Sequence, residues 1–139
     1  MLNNIMEKAI AIYGTAFKNG SVVLLTRIVG AEGENILPSD INTVEYTVYL
    51  LDDQNPDDRT PVAGHDGVTL TVADVIFNTL QTDAIWTVDA TGYNFRHSLD
   101  VSAYPAFAVA GRRYLVEYTL TPAVGQIILV QFRINVIYD

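Results

Sequence analysis

Arg112 to Ile137 reads RRYLVEYTLTPAVGQIILVQFRINVI, and its alternation decides the fold. From Arg112 to Thr121, Tyr114, Val116, Tyr118 and Leu120 fall on one side, against Leu115, Glu117, Thr119 and Thr121 on the other. From Gln126 to Ile137, Ile128, Val130, Phe132, Ile134 and Val136 oppose Leu129, Gln131, Arg133 and Asn135. A period of two, met twice in succession, predicts two strands that share one buried face. Pro122-Ala123-Val124-Gly125 separates the runs with turn residues, so the strands form a hairpin.

Toward the N-terminus the same pattern recurs in shorter pieces. Gly92 to Leu99 is a strand with Tyr93, Phe95, His97 and Leu99 on one side, and Ile85 to Val88 is a short strand around the only tryptophan, Trp86. Ala73 to Leu80 supports two readings: Val72, Val75, Ile76 and Leu80 fit a helical face, while Val75-Ile76-Phe77 fits a strand. Val68 to Val72 alternates after an Asp66-Gly67 turn, Asp52 to Gly67 is loop, and Thr43 to Leu51 is a strand with Val44, Tyr46, Val48 and Leu50 inward. Lys8 to Phe17 and Ser21 to Val29 flank Lys18-Asn19-Gly20. Asn-Gly between apolar runs predicts a tight hairpin with both turn residues at positive φ. Asn4 and Glu7 are spaced as a helix cap, so residues 1–7 form an N-terminal arm or a brief helical turn. Seven or eight short strands punctuated by turns predict an all-β protein, a single antiparallel immunoglobulin-like β-sandwich spanning residues 1–139.

Composition limits the function. A chain of 139 residues and 15.3 kDa can bury a core without disulfides, and it contains no cysteine, which removes thiol nucleophiles and zinc–thiolate sites. Sixteen acidic residues against 8 basic ones give a net charge of -8, which disfavours a nucleic-acid partner, since phosphate binding needs clustered cations. MLNNIMEKAI lacks the basic start and apolar run of a secretory leader. The most apolar stretch, SVVLLTRIV, is short and contains Arg27, so no membrane association is expected.

The residue types that carry chemistry are present without the spacing that chemistry needs. Asp52, Asp53, Asp57, Asp58 and Asp66 offer oxygen ligands, yet Pro56 interrupts them and no glutamate closes the loop as calcium coordination requires; a solvated turn is expected, with no metal and no cofactor. His65 and His97 are far apart in sequence. His65 could pair with Asp66 as a base, but no nucleophile elbow accompanies them, and His97 shares a strand face with Phe95. Glu45 and Glu117 fall on outward positions and read as solvated. The expectation is a protein that is not an enzyme and takes no small-molecule substrate. Trp86, Tyr93, Tyr104, Phe107 and Tyr114 are either sandwich core or, if displayed together, a platform for sugars.

Trp86-Thr87-Val88-Asp89, Gly92-Tyr93-Asn94-Phe95, Gly111 to Tyr114 and Thr121-Pro122-Ala123-Val124-Gly125 carry a resemblance. In these segments the chain resembles the N-terminal β-sandwich domain of upper baseplate proteins of tailed phages, most clearly over Leu80 to Ile137. Those proteins continue into further domains beyond the point where this chain ends at Asp139, so their attachment role is not carried over. The resemblance implies a structural virion component, made in the bacterial cytoplasm and built into the head decoration, neck or tail by multivalent docking to itself or to other shell proteins. The expected protein contacts are Met1, Leu2 and Ile5 in the arm, Tyr104, Phe107 and Val109 in the loop Ser102 to Ala110, and Ile137 and Tyr138 at the end. The rival expectation is a carbohydrate-binding or host-surface adhesion module using Trp86, Tyr93 and Tyr104.

Overall fold

The computed structural model describes residues 10–30 and 32–138. Among them are nine strands, β1 Ile10–Phe17, β2 Val23–Thr26, β3 Ile41–Leu51, β4 Arg59–Pro61, β5 Val68–Leu70, β6 Ile76–Gln81, β7 Tyr93–Ser98, β8 Arg113–Pro122 and β9 Ile128–Ile137, with one short helix, α1 Val72–Val75. Two sheets face each other. The larger runs β1-β9-β8-β3-β4, with β5 also on β3, and the smaller runs β2-β7-β6. β9, β8 and β3 on one sheet and β2, β7 and β6 on the other is the partition of an immunoglobulin-like sandwich. The all-β reading holds, with nine strands rather than seven or eight.

The C-terminal hairpin forms as the alternation requires. β8 and β9 pair antiparallel from Arg113↔Asn135 to Leu120↔Ile128, and Gly125 turns at φ 111. Tyr114, Val116, Tyr118, Leu120, Val130, Phe132, Ile134 and Val136 are buried, and β3 adds Val44, Tyr46 and Val48 to the same layer. Against it the smaller sheet packs Leu24, Ile76 and Phe95. Phe95 of the smaller sheet meets Tyr118 edge-on at 4.8 Å between centroids and stacks on Phe132 at 6.4 Å, so aromatic contacts fix the alignment of the two sheets. Each such ring contributes roughly 2–3 kcal/mol through removal of apolar area from water.

Four expectations are corrected. β1 and β2 do not form a hairpin: β1 runs parallel to β9, from Ile10↔Val130 to Phe17↔Ile137, while β2 pairs with β7 in the other sheet. Only Asn19 has positive φ, 62°, and Gly20 N–H donates to Phe17 O at 2.8 Å. Positive φ at the third residue of a turn is the type II pattern, which splays the flanking strands where a type I′ turn would pair them. The loop Asp52 to Gly67 contains β4, whose three residues Arg59, Thr60 and Pro61 lack any alternation to reveal them. Ile85 to Val88 is not a strand, because Asp89 Oδ1 accepts the backbone N–H groups of Thr91 and Gly92, each at 3.0 Å, and holds the segment as a loop. In Ala73 to Leu80 both readings are realised in succession, α1 turning into β6 at Ile76.

Candidate functional site

The expected contact residues divide sharply. Met1, Leu2 and Ile5 lie outside the described residues. Within the loop Ser102 to Ala110, Phe107 is fully buried and meets Tyr114 edge-on at 5.4 Å, so it closes the end of the core and cannot serve as a docking residue. The loop backbone is equally committed, since Phe107 O accepts the Asn19 N–H at 2.7 Å and Tyr114 Oη accepts the Val109 N–H at 3.1 Å. An aromatic in a loop is released from strand alternation but not from burial. Tyr104 and Val109 are exposed, as are Ile137 and Tyr138 at the end of β9.

Beside Ile137 the structure places two residues that the hairpin reading had hidden. Phe17 is 57% exposed and in register with Ile137, and Tyr13 is 77% exposed and in register with Arg133. Because Ile12 and Ala16 share registers with the inward-facing Phe132 and Val136, Tyr13, Thr15 and Phe17 occupy the outer phase of the large sheet. Tyr13, Phe17 and Ile137 thus share the outer face of the large sheet at its β1 edge, and exposed Tyr138 follows directly in the chain. The signal was there in the outer phase of IAIYGTAF, where an aromatic, a threonine and another aromatic alternate with small residues.

The two histidines, distant in sequence, meet around Tyr46. His65 is buried, with Nδ1 2.8 Å from Tyr46 Oη and Nε2 2.8 Å from Tyr104 O. A carbonyl only accepts, so Nε2 carries the proton, and in the neutral ring Nδ1 accepts from the tyrosine. His97 lies 5.0 Å from the Tyr46 ring and places Nδ1 2.6 Å from Tyr118 Oη. Burial, with a smaller push from His65, lowers the His97 pKa to about 4, and burial raises both tyrosines above their ordinary value. His65 therefore pairs with Tyr46 and the Tyr104 carbonyl in place of Asp66. Both its nitrogens hold the loop bearing Tyr104 onto β3. Gly64, at φ 84, allows this, because a Cβ there would lie 2.2 Å from the Tyr104 ring.

The acidic loop is a self-satisfied turn at one end of the large sheet. Asp52 accepts the N–H groups of Gln54 and Asn55, which hold its carboxyl below the usual range, and Asp58 O accepts the Asp52 N–H at 2.9 Å. Arg112 Nη2 donates to Leu51 O at 2.7 Å, and its Nε lies 2.7 Å from Asp53 Oδ1 as an ion pair out of line for a hydrogen bond. A shallow groove of about 450 Å³ opens here, lined by Asp52, Asp57, Asp58, Arg59 and Arg112. Among the described residues no three metal-ligating side chains converge. Glu45 is exposed, whereas Glu117 is half-buried and accepts from Gln131 Nε2 at 2.7 Å.

The aromatic residues expected of a sugar platform do not present one. Tyr93 is buried, and Trp86, expected inside the core, is half-buried in the loop, its ring tilted 43° to Tyr93 at 5.5 Å. Trp86 Nε1 donates to Asp89 Oδ1 at 2.9 Å, and Arg27 Nη1 lies 2.9 Å from Asp89 Oδ2. These bonds, led by the Gly92 N–H and the indole, hold the Asp89 carboxyl far below the usual carboxylate range. The assembly fastens the loop to the segment after β2. No protein family and no curated protein matches the chain.

Proposed function

We propose that this chain is a non-enzymatic structural component of a tailed-phage virion that docks to neighbouring protein through the apolar corner of β1 and β9. The observation that carries the reading is the grouping of Tyr13, Phe17 and Ile137 on the outer face of one sheet edge, with exposed Tyr138 next in the chain. Apolar side chains set side by side at a sheet edge gain from burial, and in a symmetric particle many such contacts add. The engagement of both histidines in holding the fold supports the same reading, as does the resemblance of Trp86 to Asp89, Gly92 to Phe95, Gly111 to Tyr114 and Thr121 to Gly125 to baseplate sandwiches. A protein of this kind is made in the bacterial cytoplasm and ends in the particle.

Mass spectrometry of gradient-purified particles from the bacterium that carries the gene tests the proposal. The chain is expected at a fixed ratio to the major shell or tail protein, and the pair Phe17→Asp with Tyr138→Asp is expected to lower its occupancy at least tenfold. Particles that lack the chain while the soluble lysate retains it would sink the virion reading. Retention of a wild-type chain on host-cell glycans would transfer the case to the adhesion module.

A further inference from the structure

We propose that β1 is a self-pairing edge, through which two copies of this chain join antiparallel about a twofold axis at Thr15 to make one continuous sheet.

A free strand edge is a template for pairing, and proteins blunt their edges with short strands, proline, charge or breaks in register. Three of the four sides here are blunted. β4 has three residues and ends in Pro61, β5 has three residues, β2 has four, and β6 breaks register against β7 between Ile76 and Gln81. β1 is the exception, eight residues of IAIYGTAF with no charge and no proline, and among the described residues nothing pairs with its outer side.

Backbone direction then fixes what the edge offers. Lys18 donates its N–H to Ile137 O at 2.8 Å, so the even-numbered residues of β1 turn their N–H groups toward β9. The N–H and C=O groups of Tyr13, Thr15 and Phe17 consequently face the open side. Phe17 O already accepts from Gly20, and a carbonyl has a second lone pair to give.

The side chains choose the occupant. Along the outer face Tyr13, Thr15 and Phe17 read aromatic, threonine, aromatic in either direction. An antiparallel partner centred on Thr15 sets Tyr13 opposite Phe17 twice and Thr15 opposite itself, the pairings that stabilise adjacent strands, and on the inner face sets only Gly14 against Ala16. Moving the axis to Gly14 would leave Tyr13 opposite threonine. A second copy therefore fits this edge, and the join is isologous. With only a few residue pairs in contact the dimer is weak, its Kd on the order of tens of micromolar. Each copy carries a net charge of -8 while β1 carries none, so added salt relieves repulsion and tightens the dimer.

The proposal is tested on the purified chain, separately from the particle reading. Sedimentation velocity from about 5 to about 500 µM, which spans the expected Kd, should show a monomer–dimer equilibrium. Thr15→Pro removes only an outward N–H, of the kind edge strands tolerate losing, and should be monomeric throughout with its circular dichroism unchanged. Thr15→Lys and Thr15→Glu each set like charges opposite each other and should associate at least tenfold more weakly than wild type, while their equimolar mixture should restore the dimer. A wild-type chain that stays monomeric, a folded Thr15→Pro chain that still dimerises, or a Lys/Glu mixture that fails to associate would each overturn the proposal. Should Thr15→Pro fail to fold, the charged pair decides alone.

Discussion

Asn94 shows how one side chain can hold a segment that has little regular structure of its own. It is buried, its Oδ1 accepts the Ile28 N–H at 2.7 Å, and its Nδ2 donates to Ile28 O and Ile36 O at 2.9 and 3.1 Å. Alternation places it opposite Tyr93 and Phe95, where solvent would be expected; nothing in a single sequence says that the backbones of Ile28 and Ile36 meet it there. Asn94→Leu keeps the volume and orphans one N–H and two carbonyls, so it should cost about 2–5 kcal/mol in urea denaturation. An unchanged midpoint would remove Asn94 from its role. His97 makes a second residue-scale prediction. Its pKa is about 4 in the folded protein against 6.5 ordinarily, so between those values the unfolded chain binds the proton more tightly. Stability should fall as pH drops from about 6.5 to about 4, with no further loss from this group below that window. His97→Phe should flatten that limb while leaving the steeper loss below pH 4, which belongs to hydrogen-bonded carboxylates such as Asp52 and Asp100. Equal slopes in parent and variant between pH 4 and 7 would refute the assignment.

At the scale of elements, legibility followed the strength of the alternation. β3 and β9 bury one phase, and β7 and β8 were readable although Asn94 and Leu115 are buried on the opposite one, whereas β4 is too short to show a period, and the strand expected around Trp86 lost to the side-chain hydrogen bonds that Asp89 accepts. The Asn-Gly signal located a turn correctly and misjudged its hand, and that single error sent β1 to the wrong neighbour. The turn offers its own check. Asn19 sits at φ 62, a region open to asparagine and glycine and strained for branched residues, so Asn19→Val should cost about 1–2 kcal/mol while Asn19→Gly should be close to neutral. Equal stabilities would mean that the positive φ is not maintained in solution. The candidate surface suffered from the same error: Tyr104, Val109, Ile137 and Tyr138 were legible as apolar residues near loops and ends, while Tyr13 and Phe17 were hidden inside a predicted hairpin. Phe107 failed in the opposite direction, because composition cannot distinguish a loop aromatic that plugs the core from one that projects.

The whole molecule joins its first described strand to its last, and does so in parallel, in a sheet whose other pairs are antiparallel. The start of β1 at Ile10 and the end of β9 at Ile137 therefore lie at opposite poles of the sandwich, and tension drawn through these two points slides one strand along the other. Shear loads the whole ladder from Ile10↔Val130 to Phe17↔Ile137 at once, where a hairpin pulled from its open end would unzip one bond at a time. The domain should consequently act as a mechanical clamp along this axis. Single-molecule stretching between positions 10 and 137 should rupture at markedly higher force than stretching across the β8–β9 hairpin from Arg113 to Asn135, and equal forces in the two directions would count against it. The β1–β9 ladder can in this way resist load, provided that the load arrives along these two strands.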